Sequence, residues 1–200
     1  SSWYAVNFGG GAPLPEIAAS SYLQMAETTI NSTANVGAAI WQSQTTSDEQ
    51  VVVAELTAAQ NAIISGLVLR SDQHGQHFVA LLLSTEGANY GIWTMIGGEL
   101  VRRATFYTGA GSGSRVALRA LGDTYTAVLD PNPDGTGGTV AGSWTDTGSI
   151  VPVGAGFRHG GAYMSSMRNN FGNASWGPGL DNWRLRDFSQ TATVEVPAMQ

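Results

Sequence analysis

Residues 50–84 read QVVVAELTAAQNAIISGLVLRSDQHGQHFVALLLS, and three apolar runs within them decide the fold. The runs QVVVAEL, ISGLVLRS and HFVALLLS each have the length of a β-strand, and turn-forming Asn, Gly and Asp residues lie between them. Apolar residues occupy both alternating faces of each run, as in Val51 and Val53 against Val52 and Ala54. A strand with one face in water would alternate between apolar and polar residues. We therefore predict that these strands lie in mid-sheet, covered on both faces.

Similar strand-like runs continue along the rest of the chain, at intervals of about 8–12 residues. Glycine-rich turns separate them, such as the adjacent Gly97 and Gly98, which suit a tight hairpin. Residues 18–30 are the one segment that could hold a short helix, although Thr28, Thr29 and Ile30 suit a strand better. The pattern predicts an all-β sandwich of two antiparallel sheets with at most one short helix. We expect residues 1–190 to form a single domain and residues 191–200 a C-terminal tail.

Composition and charge disfavour several classes of function. The formal net charge is −6, and the nine basic residues are all arginines. An acidic chain without lysine is a poor partner for nucleic acid, whose affinity comes largely from phosphate neutralisation, and for an anionic membrane. No apolar run approaches the roughly 20 residues that a membrane-spanning helix needs. The chain has no cysteine, which excludes disulfides and thiolate metal sites.

Three short segments carry a resemblance to a known family: GLVLRSD at 66–72, GFR at 156–158 and DNW at 181–183. Together with the strand pattern of residues 3–188, they resemble concanavalin A-like (laminin-G-like) jelly-roll domains. More narrowly, the chain is similar to minor tail proteins of phages that infect actinobacteria. The resemblance implies a jelly-roll sandwich that serves as a structural or adhesion module in a virion tail and faces the outside. It implies other tail proteins and copies of the same chain as partners, together with host cell-wall glycan.

Two alternatives remain open on this fold, a carbohydrate-binding module and a glycan hydrolase. Glycosidases use two carboxylates about 5–9.5 Å apart, which a strand supplies at alternate positions. No run has this pattern: Glu55 is alone in its strand, and Asp181 and Asp187 have Trp183 and Leu185 between them on the same parity. No G-x-S-x-G nucleophile motif occurs either. The sequence therefore predicts a protein without enzymatic activity.

Oxygen-bearing side chains at alternate positions provide the main candidate metal site. Asp130, Asn132 and Asp134 precede Gly135, as in the first half of a calcium-binding loop. The twelfth position is Ala141, where such a loop has a bidentate Glu, and the same residues are typical of an ordinary turn. We expect no cofactor, with calcium as the alternative because it is common in the family that the chain resembles. Asp72, His74 and His77 form a second, weaker candidate for a transition metal.

Trp176 is the candidate for stacking on a sugar ring. It lies in the segment NASWGPG, which is rich in loop-forming residues, and we expect Asn173 and Tyr163 to accompany it in a carbohydrate site. The alternative is a loop that closes one end of the sandwich. The remaining tryptophans lie in strand-like runs and are predicted to be core residues: Trp3, Trp41, Trp93, Trp144 and Trp183.

Overall fold

The computed structural model describes residues 3–9, 15–17, 23–25, 34–57, 64–84, 91–107, 109–168, 171 and 173–188. Within these residues every regular element is a strand, apart from a 3₁₀ turn at Ala155–Phe157. The strands are, in chain order, β1 (Trp3–Gly9), β2 (Pro15–Ile17), β3 (Leu23–Met25), β4 (Ala34–Trp41), β5 (Gln50–Leu56), β6 (Ile64–Ser71), β7 (His77–Ser84), β8 (Gly91–Ile96), β9 (Glu99–Thr105), β10 (Arg115–Leu121), β11 (Thr124–Leu129), β12 (Thr139–Thr145), β13 (His159–Arg168), β14 (Ala174–Trp176) and β15 (Leu180–Asp187).

These strands form two antiparallel sheets packed face to face. The first sheet has the order β1-β4-β13-β6-β7-β8-β9, with β14 paired to β13, and the second has the order β12-β11-β10-β5-β15-β3-β2. Their facing sides share one apolar core, in which Val52 of the second sheet packs with Leu67 and Leu81 of the first. The predicted all-β sandwich of two antiparallel sheets is confirmed.

The three runs of residues 50–84 lie in mid-sheet, as the sequence predicts. β5 is flanked by β10 and β15 in the second sheet, whereas β6 and β7 are neighbours in the middle of the first. The chain therefore crosses from one sheet to the other between β5 and β6. Because both sheets receive a continuous apolar strand from this stretch, it contributes to both sides of the core.

The outer faces of these central strands are also covered. Val51 and Val53 point away from the inter-sheet core and pack with Phe188. The loop after β11 lies against them so closely that a Cβ on Gly135 would be 2.5 Å from Cγ2 of Val51. On the outer face of the first sheet, Phe78 belongs to a second buried apolar cluster. The absence of polar alternation in these runs thus reflects burial on both faces.

Part of residues 18–30, the segment that could have held a short helix, forms a strand. Leu23–Met25 forms β3, which pairs with β2 and with the first residue of β15, Leu180. The rest of residues 18–30 lies outside the described part of the chain, and so does the predicted tail at 191–200. The domain boundaries therefore stay predictions. No helix of the described residues is long and apolar enough to cross a membrane.

Candidate functional site: a tryptophan-lined cleft

Three tryptophans from three strands meet at one edge of the sandwich. Trp3 of β1 pairs across the strands with Trp41 of β4, and their ring centroids are 5.0 Å apart. Trp183 of β15, in the opposite sheet, approaches Trp3 to 4.8 Å and Trp41 to 6.2 Å. All three residues are half-buried and line the same cavity, and Trp3 and Trp183 also pack against the inter-sheet core.

A cleft lies beside these rings, along β15. Among the described residues the two strands pair only between Leu180 and Leu23, whereas β15 continues along β5 to Asp187. The register of β15 shifts between Asp181 and Arg184, and Asn182 within this bulge has a φ of 51°. The cavity has a volume of about 480 Å³, within the range of small-molecule sites. Its described lining is Trp3, Leu23, Trp41, Leu180, Asn182, Trp183, Arg184, Leu185 and Arg186.

The backbone of β15 supplies polar groups to this cleft. The N–H of Phe188 donates to the carbonyl of Glu49, on the β5 side of the strand, at 2.9 Å. Successive residues of a strand direct their N–H and C=O groups to alternate sides. The polar groups of Arg186 therefore face β5, and those of Leu185 face the cleft. The cleft thus combines aromatic walls with the hydrogen-bonding edge of a strand.

Trp183 is held in place from the other sheet. Its indole N–H donates to the carbonyl of Gly161 in β13 at 3.1 Å. β13 approaches β4 closely there, since a Cβ on Gly161 would lie 2.1 Å from the carbonyl oxygen of Ala39. Glycine at this position lets the strands pack, and the Trp183 ring then spans the gap between the sheets.

Charged groups lie on the rim of the cleft and on the outer face behind it. Arg184 and Arg186 are exposed. Glu55 accepts a hydrogen bond from Arg115 at 2.5 Å and another from the Asn182 amide at 3.0 Å. The hydrogen bond from Arg115, followed by that from Asn182, lowers the pKa of the Glu55 carboxyl.

The structure does not bring the predicted sugar-binding residues into one site. Trp176 lies on the short strand β14 opposite Ser166, is half-buried and has an indole N–H that is buried without a partner. Tyr163 is buried between Phe8 and Phe78, where burial raises its pKa to about 12. Residues 163 and 166 have opposite parity on β13, so the rings of Tyr163 and Trp176 lie on opposite faces of the sheet.

Asn173, the third member of that predicted site, is exposed just before β14. Sugar binding by this set stays a prediction, and it would have to involve Trp176 and Asn173 without the buried Tyr163.

The candidate calcium loop forms a hydrogen-bonded cover over the second sheet. Asp134 accepts hydrogen bonds from the backbone N–H and hydroxyl of Thr136, at 2.9 and 2.7 Å, and these bonds lower its pKa. The Asn132 amide also donates to the Thr136 hydroxyl, at 3.1 Å. Asp130 has a φ of 48° and donates its N–H to the carbonyl of Arg115. Two of the three predicted ligands are therefore engaged within the turn.

Two arginines of β10 hold the backbone of the same loop. Arg115 donates to the carbonyl of Pro131 at 3.2 Å. Arg119 donates to the carbonyl of Gly135 at 2.7 Å and also to that of Gly137. These carbonyls already accept hydrogen bonds from cations of the protein. Among the described residues no group of three or more His, Cys, Asp or Glu is placed to hold a metal ion.

The histidine candidate is likewise a turn. Asp72 accepts the backbone N–H groups of His74 at 2.8 Å and His77 at 2.6 Å, and its carboxylate lies 3.3 Å from Nδ1 of His77. The His74 ring packs on Tyr4 instead of converging with His77. Asp72 thus organises the hairpin between β6 and β7.

The carboxylates considered for catalysis have structural partners. Asp187 accepts hydrogen bonds from the Thr46 hydroxyl and the Ser47 N–H, both at 2.7 Å. Asp181 accepts the N–H of Asn182 at 2.7 Å, and Glu55 pairs with Arg115. Nevertheless, the absence of enzymatic activity stays a prediction.

The sequence pattern predicted that the cleft tryptophans are core residues. This describes only part of their environment, because they also line the cleft. Trp3 and Trp183 do pack against the inter-sheet core. Their position beside the cleft depends on the order of strands in the two sheets, which no local pattern reports. A signal was nevertheless present: Trp183 and Leu185 alternate with Arg184 and Arg186, which is typical of a strand with one solvent-facing side.

No protein-family model matches this chain, and no curated protein matches its sequence. Among solved structures it is similar to the carbohydrate-binding module CBM66 from Bacillus subtilis, with a TM-score of 0.56, 11% identity, and coverage of 90% of this chain and 94% of that one. Its fold is thus that of the concanavalin A-like, jelly-roll class.

Two further solved structures agree. The exoplasmic/lumenal domain of VIP36, in a form bound to Ca²⁺ and Man3GlcNAc, has a TM-score of 0.52 and 12% identity, with coverage of 97% of this chain and 89% of that one. A Bacillus subtilis protein of unknown function with a galectin-like fold has a TM-score of 0.50 and 13% identity, with coverage of 92% and 89%. At these identities the likeness concerns the fold alone.

Proposed function

We propose that this protein is a non-catalytic carbohydrate-binding module and that its ligand occupies the cleft of Trp3, Trp41 and Trp183. The observation that carries the proposal is that three indole rings and the side of β15 that faces away from β5 line one cavity of about 480 Å³. The apolar face of a sugar ring stacks on an aromatic ring, while its hydroxyl groups need hydrogen-bond partners. The backbone groups of Leu185 supply such partners.

The solved structures of the same fold support this assignment as an analogy. One is named as a carbohydrate-binding module, and another was determined with Man3GlcNAc bound. Because one fold hosts many functions, these likenesses are secondary support, and the geometry of the cleft is the primary support.

The test compares tryptophans inside and outside the cleft. A glycan array with the unaltered protein identifies a bound sugar, and calorimetry then measures its affinity for the variants Trp41→Ala, Trp3→Ala and Trp176→Ala. We expect at least about a tenfold loss for the two cleft variants and little change for Trp176→Ala. Circular dichroism and thermal melts establish that each variant is folded. Loss of binding in Trp176→Ala alone would contradict the cleft and favour the site predicted from sequence.

The setting that we propose for this module is the tail of a phage, on the basis of the sequence resemblance at 66–72, 156–158 and 181–183. In that setting the sandwich would hold its position by contacts with other tail proteins or with copies of itself, and the cleft would bind host cell-wall glycan. Light scattering of the purified protein tests the self-association, and a strictly monomeric protein at high concentration would count against it.

A further inference from the structure

The cleft has an unbalanced charge. Its described lining contains two cationic side chains, Arg184 and Arg186, and no carboxylate, although the chain as a whole has a formal net charge of −6. Both arginines are exposed and belong to β15, which also contains Asp181 and Asp187 outside the described lining. The described lining of the cleft is therefore cationic, opposite in sign to the net charge of the whole protein.

In the part of the chain that the structure describes, no acid forms an ion pair with these two arginines. Within the described residues neither arginine has a carboxylate oxygen within 4 Å, which the Arg115–Glu55 pair does have. Glu55 binds Arg115 and Asn182, and Asp134 binds Thr136. Asp187, which follows Arg186 in the chain, accepts hydrogen bonds from Thr46 and Ser47. Arg184 lowers the pKa of Glu55, and Arg186 that of Asp134, less than the hydrogen bonds of these carboxylates do.

The spacing of the arginines suits recognition at the cleft. They stand two residues apart on one face of β15, about 7 Å from Cα to Cα. Leu185, whose backbone groups face the cleft, lies between them. A ligand bound to that strand edge would thus have two guanidinium groups next to it on the same face of β15, and guanidinium groups bind carboxylate and phosphate oxygens in a bidentate manner.

We propose that the ligand of the cleft is an acidic glycan, one whose sugar rings stack on the tryptophans and whose carboxylate or phosphate group is bound by Arg184 and Arg186. This inference rests on the proposed function of the same cleft. The shared chemistry is an oxyanion on a sugar, and uronic acid and sugar phosphate are the two sources that an experiment must separate.

The experiment uses glycans in matched acidic and neutral pairs on the full chain. One arm compares oligogalacturonate with its methyl ester, another compares phosphomannan fragments with their dephosphorylated form, and an array of further neutral glycans completes the set. The variants are Arg184→Gln with Arg186→Gln, and Arg102→Gln as a control. Arg102 is also exposed, but it lies over Trp93 in the first sheet.

We expect the acidic member of at least one pair to bind about tenfold or more tightly than the neutral member. The advantage should disappear in the double variant, persist in Arg102→Gln, and shrink as NaCl rises from about 0.05 M to about 0.5 M, since salt screens exposed charges.

Two results would overturn the inference, and they differ in what they leave standing. If neutral glycans bind as well as acidic ones, and Trp41→Ala abolishes that binding, the acidic ligand is wrong and the carbohydrate site stands. If the folded protein binds no glycan on the array, the proposed function fails together with the inference.

Discussion

Trp3 of β1 and Trp183 of β15 belong to different sheets, yet their ring centroids lie 4.8 Å apart in an edge-to-face contact. Such aromatic contacts contribute about 0.5–1.5 kcal/mol beyond the area that they bury. The contact stabilises the packing of the two sheets against each other beside the cleft. It also means that one wall of the candidate site depends on the N-terminal strand.

Replacing Trp183 by Phe tests how the cleft wall is held. The variant keeps an aromatic ring but loses the hydrogen bond from the indole N–H to the carbonyl of Gly161. We expect a loss of about 1–2 kcal/mol in the free energy of unfolding, measured by urea denaturation. Trp93→Phe is the matched control, because the N–H of Trp93 is buried without a partner in the structure and should cost little to remove. Equal losses in the two variants would show that the Gly161 bond does not hold the ring.

Gly135→Ala tests whether the loop after β11 is a tightly packed cover. Gly135 has a φ of 85°, and an added Cβ would meet Val51 at 2.5 Å. Gly113 has the same φ of 85°, but a Cβ added there would have nothing within 4 Å, so Gly113→Ala carries the backbone cost alone. We expect Gly135→Ala to be less stable than Gly113→Ala by about 1–3 kcal/mol, from overpacking. Thermal melts that show no difference between the variants would mean that the loop does not press on the sheet.

Calcium addition tests the metal alternative for the same loop. We expect the thermal midpoint to stay unchanged in the presence of excess Ca²⁺ or of a chelator. The Asp134 carboxylate is bound to Thr136, and the carbonyls of Pro131 and Gly135 are bound to arginines. A ligand that binds only the native state raises the midpoint, so a clear rise with Ca²⁺ would restore the calcium site.

The ion pair of Asp48 and Arg158 predicts a particular pH dependence. The 2.8 Å hydrogen bond from Arg158 holds the pKa of Asp48 below the usual value of an aspartate. A group whose pKa is lower in the folded state contributes stability above its unfolded pKa, and loses it as the pH falls through the folded value. Asp48→Asn should therefore be less stable than the unaltered protein near neutrality, and the difference should shrink as the pH falls from about 5 to about 3.

The control for this titration is Glu99→Gln, which removes the same charge from an exposed position on β9. Denaturant melts at several pH values measure both variants. A difference between Asp48→Asn and the unaltered protein that stays constant into acid would rule out the ion pair as its origin.

Much of the fold was predictable because strands alternate with period two. The doubly apolar pattern of β5 and β7 predicted burial on both faces, and both strands are covered on both faces. The candidate site was less accessible to the same reasoning. Trp176 attracted attention through its loop-like neighbours, but it forms a short strand, and its proposed companion Tyr163 lies on the other face of the sheet.

The pattern of apolar residues along the sequence was sufficient to predict the strand positions and the class of fold. In a strand, whether a side chain points to one face or the other follows from its odd or even position along the chain. It could not show that Trp3 and Trp183, 180 positions apart, would share a cleft. That meeting depends on the order of strands in two sheets, which brings β1 of one sheet to β15 of the other. Strand order and register arise from the packing of the whole sandwich, so the site exists only once both sheets are assembled.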